Sequence, residues 1–249
     1  MGKIIELDKS VIPACDVDTI YQLERIVSNT KDVKYIKAYK IGFNLVFAHG
    51  LPGVVEAVKD IRSDAVVIYD HQKGGTDIPD MGKKFANRMK EAGVDAAILF
   101  PMAGPETQKA WTEALLEKDV GVLIGGEMTH KGYKHVDGGY IHDEAPEEMY
   151  VNGAECGVTD FVVPGNKPEV IELFRDILIN ECGIDPVFYA PGFVAQLGKI
   201  TDAAKVAGDR WHAIAGRGIY NPNKKENLDD VTSEEITNAA KELTSQLYV

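Results

Sequence analysis

Ala65-Val-Val-Ile-Tyr69, Asp70-His-Gln-Lys73-Gly-Gly-Thr-Asp77-Ile-Pro79 and Asp80-Met81-Gly-Lys-Lys-Phe85-Ala-Asn-Arg-Met89-Lys-Glu-Ala92 follow one another without a break. The first piece is a short apolar run rich in β-branched residues. It is bounded by charge and reads as a buried strand. The last piece spaces Met81, Phe85 and Met89 four residues apart, which puts them on one helix face, so a helix is predicted over 78–92. Strand, charged loop and helix together make one βα unit.

The same unit repeats outward in both directions. Apolar, strand-like runs stand at 11–15, 35–41, 65–69, 96–100, 121–124, 160–163, 187–189 and 211–215. Most of the segments between them carry helical spacing, clearest at 107–117 and 168–182, and a last helix is predicted over 233–247. Strands alternating with helices imply parallel pairing. Eight such units in 249 residues match a closed (β/α)8 TIM barrel, an α/β fold, as a single domain over 1–249. An open doubly wound sheet is the alternative, but it usually carries a glycine-rich turn after its first strand. Here that strand runs into Cys15-Asp16-Val17-Asp18. Residues 129–148 form the longest irregular stretch, read as an elaborated loop after the fifth strand.

Asp plus Glu number 39 against 27 Lys plus Arg, a net charge of −12. That balance argues against non-specific nucleic-acid binding, which needs a basic face. Three scattered cysteines, Cys15, Cys156 and Cys182, fit neither a disulfide framework nor a metal knuckle. With no secretory leader pattern, they point to a reducing cytoplasm. No apolar run approaches the ~20 residues of a membrane span.

A (β/α)8 barrel collects its chemistry at the C-terminal ends of the strands. Asp16 ends the first, Lys40 lies in the second, and Asp70, Lys73 and Asp77 follow the third. Glu127-Met128-Thr129-His130 follows the fifth, Pro191-Gly192-Phe193 with Gln196 the seventh, and Gly216-Arg217-Gly218 the eighth. The last two loops are the usual phosphate cradle of this architecture. Gly216 admits backbone N–H groups to phosphate oxygens, and Arg217 offers a forked cation. Lysines alternating with carboxylates at a buried mouth hold one another ionised. A lysine so held stays protonated and can donate its proton. The alternative reading is a salt-bridge cluster in a surface loop. His71 and His130 lack partners at metal-ligand spacing, and Cys15 reads as a small buried hydrophobe.

These residues resemble the orotidine 5′-phosphate decarboxylase family, a barrel of the ribulose-phosphate-binding type, in order and over nearly the whole chain. Val11 to Asp16 is similar to its first-strand segment, and Tyr39-Lys40-Ile41-Gly42 to its Lys-x-Gly strand. Asp70 to Pro79 resembles its Asp-x-Lys-x-x-Asp-Ile-Pro signature. Glu127 to His130 resembles its Met-Ser-His segment. The resemblance implies decarboxylation of orotidine 5′-monophosphate to uridine 5′-monophosphate, a step of pyrimidine biosynthesis, with no cofactor and no metal. It implies that Lys73 protonates C6, that Asp70 stands beside the departing carboxylate, and that Lys40 orients Asp70. It implies ribose contact by Asp16, pyrimidine contact by Thr129, and phosphate contact by Pro191, Gln196, Gly216 and Arg217. Asp77 and Ile78 are expected to reach a neighbouring subunit's site, so the active unit is expected to be a homodimer.

The sequence departs from that pattern in three places. Asp70 to Lys73 is three residues where the family has two, and Lys73 to Asp77 is four where it has three. Met81 stands where the family often has a hydroxyl residue. Leu197-Gly198-Lys199 replaces a Gly-Gly-Asp run, with Lys199 as a further cation for phosphate. Two other readings compete: an Mg²⁺-dependent hexulose-phosphate synthase or keto-gulonate-phosphate decarboxylase of the same superfamily, and a non-catalytic barrel that binds a nucleotide or sugar phosphate. The first usually has a Glu metal ligand where Lys40 stands.

Overall fold

The structure is a computed structural model that describes residues 2–71, 76–194 and 196–248. Eight parallel strands close in sequence order, β1-β2-β3-β4-β5-β6-β7-β8, with β1 paired to β8. They are β1 (Lys9–Cys15), β2 (Ala38–Gly42), β3 (Val66–Asp70), β4 (Ala96–Leu99), β5 (Gly121–Gly125), β6 (Asp160–Val162), β7 (Val187–Pro191) and β8 (Trp211–Ala215). Between them run α1 (Ile20–Thr30), α2 (Phe43–His49), α3 (Leu51–Ile61), α4 (Gly82–Glu91), α5 (Pro105–Leu116), α6 (Ala145–Glu155), α7 (Pro168–Asn180) and α8 (Ile200–Val206). The short α9 (Arg217–Tyr220) follows β8, and α10 (Ser233–Ser245) comes last.

All eight expected strands are present, with three boundaries to correct. The second strand begins at Ala38, not at 35, because Tyr35 turns into the left-handed region at φ 68°. The helix expected from 78 begins as a 3-10 turn at Pro79–Met81 and becomes α-helical only at Gly82. The long loop after β5 ends at 144, and residues 145–148 already belong to α6, whose first turn holds a proline.

Strand residues alternate between two apolar layers, as the period of two requires. Ile12, Ala14, Ala38, Ile68, Ile98, Leu123, Val162, Tyr189 and Ile214 fill the barrel interior. Val11, Ile41, Val67, Ile124, Phe161 and Phe188 face outward and pack with the helices, for example with Leu23, Ile26, Val54 and Val58. The inward parity, carried two residues past the last apolar layer, delivers Asp16 after Ala14, Lys40 after Ala38 and Asp70 after Ile68. The barrel thereby aims its charges at its own mouth. No helix among the described residues is long and apolar enough to cross a membrane.

The inner layer near the start of β8 is polar and closed. His212 is 1% exposed, Ser10 Oγ lies 2.8 Å from its Nδ1, and its ring lies 4.8 Å from that of Tyr189. Tyr189 in turn donates to Asp160 Oδ1 at 2.9 Å. Burial, reinforced by the nearby Arg210 charge, pushes the His212 pKa down to about 3 from an ordinary 6.5. A depressed histidine contributes its stability fully above pH 6.5 and loses it as pH falls, because the unfolded chain takes up a proton that the folded chain refuses. Burial raises the Asp160 carboxyl, which acts with the opposite sign, so comparison with a variant isolates the histidine. Melting temperature is expected to drop between pH 6.5 and 4 in wild type and to drop less steeply in His212→Gln. Parallel curves would remove His212 from this role.

Candidate functional site

One cavity opens at the C-terminal end of the barrel. It is lined by Asp16, Lys40, Asp70, Phe100, Glu127, Met128, Thr129, Pro191, Gly192, Gln196, Gly216, Arg217 and Tyr220, above a floor of Ala14, Ile98, Val162 and Ile214. The structure therefore brings together eight of the eleven expected site residues: Asp16, Lys40, Asp70, Thr129, Pro191, Gln196, Gly216 and Arg217 line this cavity. The expected proton donor Lys73 lies outside the described residues.

Lys40 is the centre of the charged side. It is 7% exposed, and its Nζ lies 2.8 Å from Asp70 Oδ2 and 3.2 Å from Asp16 Oδ1. Burial by itself disfavours the ammonium, but the Asp70 and Asp16 carboxylates outweigh it and hold the pKa above the ordinary lysine value. Asp70 is 6% exposed, whereas the Asp16 side chain is half exposed. Gly42 makes room for this arrangement, since a Cβ there would stand 2.7 Å from Asp16 Oδ1. The Tyr220 hydroxyl donates to the Asp16 carbonyl at 3.2 Å.

The opposite side carries neutral polar groups and Arg217. Gly192 takes φ 110°, a value that favours glycine, and a Cβ there would meet Thr129 at 3.0 Å and Gln196 at 3.1 Å. Thr129 and Gln196 therefore converge over Gly192. In the same loop, Val194 and Leu197 hold positive φ of 63° and 67°, a conformation that costs energy for branched side chains. Lys199 does not join the cavity; it is exposed at the start of α8.

Asp77 and Ile78 are not brought into this cavity. Both are exposed, Ile78 by 60%. Their backbone is pinned to α5, where Thr107 donates to the Asp77 carbonyl at 3.0 Å and Trp111 to that of Ile78 at 3.1 Å. Beside the charged side lies a second hollow lined by Phe43, Phe47 and His71 together with Asp16, Lys40 and Asp70. Phe43 is 56% and Phe47 75% exposed. His71 is tied back through its Nδ1, 2.5 Å from the Tyr69 hydroxyl. Cys15 is fully buried, as expected, and burial raises its thiol pKa.

Sequence reasoning passed over Glu127 as a separate group. It is 2% exposed and meets Lys167 at 2.8 Å and Lys134 at 3.0 Å. Its signal was available in the alternation Leu123, Gly125, Glu127, which continues the inward face of β5. Lys134 and Lys167 come from loops, where no periodicity marks them.

Among the described residues no group of three or more His, Cys, Asp and Glu is arranged to hold a metal ion. More directly, an ammonium already stands between the carboxylates of Asp16 and Asp70.

Residues 9–230 match the model of the orotidine 5′-phosphate decarboxylase / HUMPS family. An orotidine 5′-phosphate decarboxylase of Methanosarcina mazei is 27% identical over 93% of this chain and 97% of its own length. That of Pyrococcus abyssi is 29% identical over 90% and 98%. Among solved structures, the Methanocaldococcus jannaschii enzyme complexed with inhibitor BMP superposes with a TM-score of 0.79 at 24% identity, over 98% of this chain and all of its own. The Pyrococcus horikoshii enzyme gives 0.74 at 25% identity, over 96% and 100%.

Breaking a buried ion pair from one side is costly, about 3–5 kcal/mol in other proteins. Lys40→Met is expected to lower the urea-unfolding free energy by about 3 kcal/mol, and Asp70→Asn added to it to return part of the loss. Purely additive losses would deny the coupling. On the match over residues 9–230, this chain belongs to the orotidine 5′-phosphate decarboxylase / HUMPS family.

Proposed function

We propose that this chain decarboxylates orotidine 5′-monophosphate to uridine 5′-monophosphate without a metal or a cofactor. The observation that carries the reading is the Lys40 ammonium held between Asp16 and Asp70 in the same cavity that Thr129, Gln196 and Arg217 line. A divalent cation between those carboxylates would face a fixed positive charge, which disfavours the Mg²⁺-dependent branch of the family. The curated relatives reported above carry the decarboxylase name.

In this mechanism the C6–carboxylate bond breaks, CO₂ leaves, and the electron pair stays on C6. The Lys73 ammonium then gives its proton to C6. Asp70 stands beside the carboxylate and destabilises it only while it is bound. Lys40 holds Asp70 in place, so the fixed charges need little reorganisation as the carbanion forms. Asp16 holds the ribose, and Thr129 reads the pyrimidine. Pro191, Gln196, Gly216 and Arg217 hold the phosphate, whose binding energy is spent on tolerating that repulsion.

The active unit in this reading is a homodimer. Asp77 and Ile78 are exposed and do not line their own chain's cavity, and an exposed apolar edge of Phe43 and Phe47 borders the charged side. A second copy would cover that edge and bring its Asp77 and Ile78 to the ribose and the charge array. The reading is of one barrel domain over 1–249, in the cytoplasm, where the free thiols Cys15, Cys156 and Cys182 stay reduced.

The first test is the ultraviolet assay for conversion of orotidine 5′-monophosphate, with EDTA present. Wild type is expected to turn over. Lys73→Ala, verified as folded, is expected to lose about 10²–10⁴-fold or more, the usual share of a general acid. A wild type that binds product without turnover would refute the proposal, and near-normal activity in Lys73→Ala would free that residue from the role.

Mixing Lys73→Ala with Asp77→Ala tests the shared site. Half of randomly mixed dimers pair the two variants and carry one intact site each, so recovery to about a quarter of wild type is expected. No recovery in verified mixed dimers would count against sharing.

A further inference from the structure

We propose that Glu127 is a positioning residue for the pyrimidine side of the site, acting through Lys167 and Lys134. The inference rests on the decarboxylase reading and assigns the machinery behind Thr129.

Glu127 is part of the cavity wall yet only 2% exposed. A carboxylate so buried is costly unless paired. Two lysines from separate loops meet it: Lys167 Nζ at 2.8 Å from Oε1 and Lys134 Nζ at 3.0 Å from Oε2. Lys134 belongs to the loop after β5, and Lys167 precedes α7. One buried anion therefore ties two loops to the end of β5.

Lys167 has a second bond. Its Nζ donates to the Met128 carbonyl at 2.8 Å. Neighbouring backbone groups of the same segment are also held by side chains. Tyr133 donates to the Gly126 carbonyl at 2.8 Å, the Glu127 amide donates to the Tyr150 hydroxyl at 3.1 Å, and Asn166 donates to the Thr129 carbonyl at 3.2 Å. Residues 126–129 thus form a wall whose backbone is fixed from behind. Thr129 lines the cavity from that wall. An unanchored Lys167 would point elsewhere, because an ammonium prefers water to a single carbonyl. Glu127 holds Lys167 where Met128 needs it, and Lys134 completes the neutralisation from the loop side.

A role in fixing this wall differs from a role in general stability. It predicts loss on ligands that carry the base and none on ligands that lack it. The experiment measures binding of uridine 5′-monophosphate and of ribose 5-phosphate by calorimetry in wild type, Glu127→Gln and Lys167→Met. Glu127→Gln keeps the shape and removes the charge. Both variants are expected to weaken the nucleotide at least about tenfold and to leave ribose 5-phosphate within about twofold. Lys167→Arg is expected to restore most of the nucleotide affinity. Equal losses on both ligands, or unchanged nucleotide affinity, would overturn the proposal. If Glu127→Gln does not fold, Lys167→Met decides alone, since it leaves Glu127 paired with Lys134. A wild type that fails to bind the nucleotide would instead strike at the decarboxylase reading, which separates the two.

Discussion

Lys40 sits at the mouth of the barrel with carboxylates 2.8 and 3.2 Å away and almost no water around it. Neither Lys40 nor Asp70, both buried, is tolerable there alone, since desolvation of a single ion costs several kcal/mol, and the half-exposed Asp16 adds a second carboxylate to the pair. Their mutual pairing sets the geometry of β1, β2 and β3 at their ends. Gly42 must lack a side chain so that Asp16 can cross over it. The interior below must be apolar and filled, so that the charges rest on Ala14, Ala38 and Ile68 rather than on solvent. The Tyr220 hydroxyl then fixes the Asp16 backbone from the far side of the barrel seam, where β8 meets β1.

Much of this was legible before any coordinates. Alternation and helical spacing are local properties, so all eight strands could be read, and inward parity follows from them. Lys40 and Asp70 fall on the inner face because Ala38 and Ile68 do. What resisted reading was conformation at the seams. Nothing in Lys34-Tyr35-Ile36 announces that Tyr35 takes φ 68° and delays β2 by three residues. The helix read from 78 passed over the 3-10 start, because a proline suits a helical first turn as well as a turn before it.

The site divided along the same line. Residues on strand ends and in the loops just after them were read as candidates, while the lysines that hold Glu127 were not. Lys134 and Lys167 obey no period, and only the fold brings them to Glu127. Lys199 shows the reverse error: nearness in sequence to Gln196 suggested a phosphate contact, and the start of α8 carries it outward. The stretched 70–77 signature is subtler. Asp70 is fixed by the register of β3, and the backbone of Asp77 and Ile78 is held to α5 by Thr107 and Trp111.

The closed strand order also explains how an acidic protein can host a multiply anionic substrate. Taken around the ring, the proposed phosphate contacts stand at the ends of β7 and β8 and just beyond, the proposed ribose contact Asp16 just after β1, Lys40 and Asp70 on β2 and β3, and the proposed pyrimidine wall after β5. Neighbouring strands therefore serve neighbouring parts of one ligand. Lys40 is paired with Asp16 and Asp70, so it does not merge with Arg217 into one basic patch that would bind phosphate anywhere. Net charge of −12 then works against unselective anion binding over the rest of the surface. Selectivity in this barrel is a matter of where charge sits around the ring rather than of how much there is.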